Sequence, residues 1–324
     1  MSQAVNSQEI ITATLTVFAV ISTGAFCRSR EFLSADSIKS MMKVLVSVLM
    51  PCFIFQNLAG KDITGAYQLP FLGICMVLLS MLVVRILSLF LAKSLGLDTD
   101  DKVKSFTYTT ALQNYGFLPI PLLMMLFGKE LLPLLLLHNV AIEIFVWTFG
   151  VSYLSGNIGW GIFKKVLSPP AAAAIIAVLI NYFQVDVAAF PEIVTRPIDL
   201  ISHAAIPTAL LLIGGTVYEE VQQLSEFKSK WKSYFNISIA SSIIRLGVLP
   251  AIMLSCLYSL NFSDDIKKIL LLQLAMPAAM MPIVITRLYG GHTLTVIKIS
   301  VITSVLSLIT INFWLSFGQK ILFP

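Results

Sequence analysis

The chain has 324 residues, 57% of them apolar and only 12% charged, with a net charge of +5 and a mean hydropathy of +0.88. A soluble domain carries about 25% charged residues, so this composition cannot clothe a water-facing surface and predicts an all-α polytopic membrane protein. The basic residues are dispersed among connections, which fits membrane topology rather than a nucleic-acid partner, and no long hydrophilic stretch offers a separate soluble domain.

A span needs about 20 mostly apolar residues, and ten segments meet that requirement: 8–26, 40–58, 70–92, 105–127, 131–154, 168–184, 196–217, 233–260, 266–288 and 293–318. The first follows a stretch with no basic residue, so it reads as a spanning helix rather than a signal peptide. The second contains Pro51, with Gln56 and Asn57 at its outer end as candidates to face a solute path; the third opens near Pro70 and carries Arg85. The fourth holds Ala111-Leu-Gln-Asn-Tyr-Gly-Phe-Leu-Pro119-Ile-Pro121, and the fifth opens near Pro133 and carries Asn139 and Glu143. Ser168 can cap the sixth ahead of Pro169, and Thr195 with Pro197 can start the seventh, which also holds Pro207. The eighth contains Arg245 and Pro250. The ninth reads Leu274-Ala-Met-Pro277-Ala-Ala-Met-Met-Pro282, and the tenth follows Gly291.

A shift of 163 positions lays Asn114 on Pro277, Pro119 on Pro282 and Gly128 on Gly291. Pro51 and Pro207, and Arg85 and Arg245, also correspond, at slightly smaller offsets. Five spans per half is an odd number, so the halves enter the membrane from opposite sides. The expected architecture is therefore two inverted five-helix repeats, residues 1–155 and 168–324, joined by a short cytoplasmic linker at 156–167. Paired interruptions in inverted repeats mark transporter binding sites.

Proline removes an N–H and pushes off the carbonyl four residues earlier. Pro119 and Pro121 release the carbonyls of Tyr115 and Phe117; Pro277 and Pro282 release those of Gln273 and Ala278. Gly116 adds backbone freedom. Such groups are tolerated at bilayer depth only inside protein or around a wet cavity. Crossing breaks would present half-helix N-termini to an anion and carbonyls to a cation. The expected substrate site is Gln113, Asn114, Tyr115, Gly116, Pro119, Pro121, Met276, Pro277, Ala278 and Pro282. Glu143, Asn139 and Gln273 are the ion or coupling candidates, because a mid-span charge is costly and Asn139 shares a helix face with Glu143. Arg85 and Arg245 read as symmetric struts for helix ends or acids, and Lys43 and Lys298 as side chains reaching toward the cytoplasmic surface.

The odd-numbered connections with the span ends beside them hold twelve Lys and Arg, and the even ones, so counted with the tails, hold six, which places the odd connections in the cytoplasm and both termini outside it. Cys27, Cys52, Cys75 and Cys256 form no CxxC pair, and His138, His203 and His292 are scattered. No metal, no cofactor and no catalytic residue is expected. A solute pore would favour polar rings over one paired break, and an intramembrane enzyme would need a nucleophile with its base or a metal set, so both are lesser readings.

These residues resemble the auxin efflux carrier family, within the bile-acid/sodium symporter-like superfamily. The likeness is carried by Asn114-Tyr-Gly-Phe-Leu-Pro-Ile-Pro121-Leu, Ala205-Ile-Pro-Thr-Ala-Leu-Leu-Leu-Ile-Gly214, Ser168-Pro-Pro-Ala and Ala275-Met-Pro-Ala-Ala with Leu288-Tyr-Gly290. It implies crossover helices 4 and 9, a scaffold of helices 1, 2, 6 and 7, and a transport domain of helices 3–5 and 8–10 moving as an elevator. It further implies a secondary carrier of a small organic anion, a carboxylate or auxin-like acid, in the plasma (inner) membrane, coupled to protons, to sodium or to neither. The alternative is a sodium-coupled symporter of bile-acid-like amphipathic anions. The expected partners are that anion and membrane lipid, and the superfamily suggests a homodimer. Tyr115 follows Asn114 and Met276 precedes Pro277, where plant members carry Asn-Pro at both crossovers. This departure and the short linker suit a small prokaryote-like member.

Overall fold

The computed structural model describes residues 5–156, 168–226 and 231–323, and among them the chain is helical with no strand. In order these are α1 (Ser7–Ser29), α2 (Ala35–Leu58), α3 (Leu69–Leu95), α4 (Asp100–Ala111), α5 (Pro119–Leu126), α6 (Lys129–Ser155), α7 (Pro169–Tyr182), α8 (Glu192–Glu226), α9 (231–259), α10 (Asp264–Leu274), α11 (Met281–Tyr289) and α12 (Thr293–Leu322). The Lys164-Lys165 connection lies outside the described residues.

Seven helices among the described residues are long and apolar enough to cross a membrane: α1, α2, α3, α6, α8, α9 and α12. The sequence reading expected ten spans, and the difference has two causes. Helix α7 has 14 residues, about 21 Å at 1.5 Å per residue against a hydrocarbon core of about 30 Å. The fourth and ninth segments are not continuous helices but pairs of short ones, α4 with α5 and α10 with α11.

Local chemistry sets these boundaries. Ser168 accepts a bond from the Ala171 N–H and caps α7, with Pro169 in the first position, where its missing N–H costs nothing. Thr99 caps α4 by accepting from Lys102 N, and Asp100 and Asp101 occupy the first turn. Ser263 stands at the head of α10, followed by Asp264 and Asp265. Both helices leading into a break therefore start with two carboxylates at the positive helix end. Helix α4 has 12 residues and α10 has 11, which accounts for the offset falling from 164 at the aspartates to 163 at the breaks. Thr195 does not start the seventh segment. Helix α8 begins after Pro191, whose carbonyl accepts from Val194 N and Thr195 N, and Pro197 lies inside it.

Wide π-helical turns occur at Leu45–Leu49 and Ile244–Val248, each just ahead of a proline, Pro51 and Pro250. Pro250 releases the Leu246 carbonyl, and Trp314 Nε1 donates to it at 2.6 Å. Helix α1 lies along α8, α2 packs on α7 and α8, α3 on α6, and α9 on α12. At the α1–α8 seam the backbones touch. A Cβ on Gly24 would overlap the Leu211 carbonyl, and one on Gly214 would overlap the Ile21 carbonyl.

Candidate functional site

The two interruptions meet. Residues 112–118 separate α4 from α5, and residues 275–280 separate α10 from α11. Gln113 and Ala278 face each other in an isolated antiparallel bridge. It is made by Asn114 N donating to Pro277 O at 2.8 Å and Ala279 N donating to Leu112 O at 2.9 Å. Asn114 and Pro277, matched in sequence by the 163-residue shift, are thus bonded in space. Helices α5 and α11 begin at these breaks with Pro119 and Pro282 in their first turns, and both arms are followed by glycines at positive φ, Gly128 and Gly290–Gly291.

The carbonyl freed by Pro119 has found donors. Tyr115 O accepts from Asn139 Nδ2 at 2.6 Å and from Gln273 Nε2 at 3.2 Å. Gln273 Nε2 also reaches Asn139 Oδ1 at 3.1 Å, so α6 and α10 grip the first break through one amide pair. The carbonyl freed by Pro277, that of Gln273, is recaptured within its own turn by Ala275 N and Met276 N. The Ala279 carbonyl accepts from Ser300 Oγ at 2.7 Å, and Ala278 N donates to Thr303 Oγ1 at 3.3 Å, so α12 supports the second break.

Glu143 lies one turn beyond Asn139 on α6 and is half-buried. Its Oε2 accepts from the Tyr115 hydroxyl and its Oε1 from Trp147 Nε1 at 2.8 Å. The Tyr115 backbone and side chain thus answer to two residues spaced four apart on one helix, the spacing that puts both on one face. Trp147, one turn further along that face, was missed in the sequence reading, although the same periodicity points to it. Ser300 and Thr303 carried no usable signal, since hydroxyls are common throughout α12.

Gln113 is fully buried and both of its amide atoms lack a partner. Asn114 is half-buried, and its side chain makes no hydrogen bond among the described residues. Gly116 is half-buried, whereas Pro119, Pro121, Pro277, Ala278 and Pro282 are buried and Met276 is 0% exposed. The Oε1 of Gln273 is also unpartnered. These groups share one neighbourhood, with spare donors and acceptors beside a backbone crossing.

Arg245 is fully buried and donates from Nε to Met276 O at 3.0 Å, from one terminal nitrogen to Ala111 O at 3.0 Å, and from the other to Leu274 O at 3.5 Å. It serves helix ends, as the sequence suggested, but its supposed counterpart does not: Arg85 is exposed. Lys43 is exposed as expected, while Lys298 is 7% exposed and does not reach outward. Gln56 is engaged by Asp199 Oδ1 at 3.1 Å, and Asn57 turns back to Phe53 O at 2.8 Å. Two surface cavities of about 380 and 530 Å³ adjoin Gly60, Lys61, Val187 and Ala188, away from both breaks.

Comparison with known proteins adds an independent line. The family model for membrane transport proteins matches residues 9–157 and 159–315. A protein of Methanocaldococcus jannaschii described as an uncharacterized transporter is 25% identical over 306 residues, covering 93% of this chain and 96% of its own length. Another so described, from Methanothermobacter thermautotrophicus, is 24% identical over 303 residues, covering 93% and 95%.

Proposed function

The chain belongs to the membrane transport protein family, that of the auxin efflux carriers, and from this premise we propose that it is a secondary carrier of a small organic anion. It is a multi-pass integral membrane protein. The observation that carries the reading is the bridge between the two breaks, which gathers four helix ends, the unpartnered buried amide of Gln113 and the half-buried amide of Asn114 at one place. Helices α5 and α11 start there, and an N-terminus carries about half a positive charge. Pro119, Pro121 and Pro282 leave few N–H groups at these starts, so it is the end charge that attracts a carboxylate, and the free Asn114 amide supplies a donor that points specificity at an oxygen-bearing solute.

The architecture proposed for this function is ten crossings in two inverted repeats, 1–155 and 168–324, with α4–α5 and α10–α11 as the crossover helices. Supporting it are the matched aspartates, prolines and glycines of the two broken segments. The scaffold comprises α1, α2, α7 and α8; the transport unit comprises α3–α6 and α9–α12 and shifts as an elevator. The packing of α1 along α8 and of α2 on α7 supports the scaffold half of that division. Glu143 is the group for proton coupling: a proton on its carboxyl alters the partners of Tyr115 and so the hold on the first break. The sodium-coupled alternative gains nothing from the breaks, which contain no acidic residue. The location proposed is the plasma membrane with both termini outside, and the assembly a homodimer.

The test is uptake of radiolabelled monocarboxylates and dicarboxylates into proteoliposomes. Asn114→Ala, in a protein that still elutes as a folded species, is expected to lower uptake of the transported acid at least tenfold. Uptake equal to wild type removes Asn114 from the site, and a failure of every organic acid to enter rejects the substrate class.

A further inference from the structure

We propose that Arg245 is a resident cation. Its guanidinium fills the place an alkali metal ion would take where the two interrupted helices meet, and the crossing is thereby held without sodium or potassium. The inference concerns the crossing alone and does not depend on which solute is carried.

Three backbone carbonyls converge on this side chain, from Ala111 at the end of α4, and from Leu274 and Met276 at the end of α10 and in its break. The last carbonyls of a helix have no partner of their own and carry about half a negative charge. Two such ends brought together repel, and a positive charge between them relieves both. Carbonyl oxygens from unwound membrane helices are the ligands with which proteins hold sodium or potassium. Here the donors come from a side chain.

The setting excludes a simple ion pair. Arg245 is fully buried, and among the described residues no carboxylate pairs with it. A buried charge needs partners, and the helix ends are the partners it has. The residue sits in the π-helical turn Ile244–Val248, a geometry that recurs at functional sites. The positive charge is what the site requires, and a lysine there would keep it; arginine adds reach. Its planar fork carries five N–H groups in fixed directions, so one side chain reaches carbonyls from both broken segments. A metal ion entering the same group of oxygens would meet the guanidinium at close range in a low-dielectric interior and be repelled.

Thermal melting of the purified full chain, in detergent at constant ionic strength, tests this with sodium, potassium and N-methylglucamine chlorides and with methylguanidinium chloride. The wild type is expected to melt at one temperature in all four. Arg245→Ala is expected to melt lower and to recover selectively in methylguanidinium or sodium, not in N-methylglucamine. Three results overturn the proposal: Arg245→Ala melting like the wild type, recovery that is equal in every salt, or a sodium-selective rise in the wild type. Should Arg245→Ala fail to accumulate, Arg245→Lys decides. A folded protein indifferent to sodium supports a resident charge, whereas loss of folding there too, or a sodium-selective rise, overturns it. None of these readouts involves a transported solute, so the failure of the organic-anion reading and the failure of this one are separable.

Discussion

A lone carboxylate at the centre of a spanning helix costs at least about 2.5 kcal/mol, and Glu143 offsets this with two donors, the Tyr115 hydroxyl and Trp147 Nε1. Hydrogen bonds between membrane helices average about 0.6 kcal/mol and reach about 1.7. Tyr115→Phe should therefore lower stability by roughly 1 kcal/mol in reversible unfolding while leaving the Trp147 bond in place. A loss of the same size in a Glu143→Ala background would show that the hydroxyl does not act through the carboxylate. Much at this scale was legible: Asn139 and Glu143 fall on one face by spacing, and the carbonyl of Tyr115 was marked as free by Pro119. The destination of the Tyr115 ring was not legible, because a residue inside a break is aimed by tertiary contacts rather than by helical periodicity. Nor did matched positions guarantee matched roles. Arg245 is enclosed by helix ends while Arg85 is exposed.

Among the elements, the breaks were readable because proline acts through covalent geometry, while helix starts that rest on several weak preferences were less so. Thr195 and Pro197 looked like a start, yet one turn of helix forms ahead of them after Pro191. Two elements carry predictions. His292 precedes α12 and accepts from Thr295 N with its Nδ1, which requires the neutral ring. Burial, and then the charges of Lys102 and Lys298, hold its pKa below the usual 6.5. The unfolded chain thus binds the proton more readily, and stability is expected to fall as pH drops below 6.5 and on toward the lowered value. His292→Asn keeps a capping oxygen and should flatten that decline in melting temperature between pH 7 and 5; an unchanged slope would place its origin elsewhere. At the α1–α8 seam, the atom that a Gly214 side chain would strike is main chain, the Ile21 carbonyl, which cannot rotate away. Gly214→Ala should cost about 1–3 kcal/mol, the range for overpacking, measured by thermal unfolding; an unchanged melting point would show the seam to be loose.

For the whole molecule, composition alone identified a membrane protein, and the family match agrees. Hydropathy was less informative about continuity. It treats an apolar break and an apolar helix alike, and so it gave ten equivalent segments where, among the described residues, seven helices are long enough by themselves. The elevator reading makes one prediction at this scale. Thr14 on α1 donates to Asn312 on α12 at 3.3 Å, across the proposed boundary between scaffold and transport unit. Oxidising a Thr14→Cys/Asn312→Cys pair should arrest uptake in proteoliposomes and reduction should restore it, with the single variants unaffected. Transport that persists through a complete cross-link would mean that these two helices need not part.

The bridge between the two breaks is written in main-chain atoms, and beyond the Arg245 guanidinium beside it, it asks little of side-chain identity. It needs an N–H at 114 and 279 and a carbonyl at 112 and 277, so proline, which keeps its carbonyl, is compatible at 277 and excluded at 114. The amides and rings that surround the contact can then be exchanged without dissolving it. On the carrier reading proposed above, such a frame lets solute preference change by side-chain replacement while the main-chain crossing stays put.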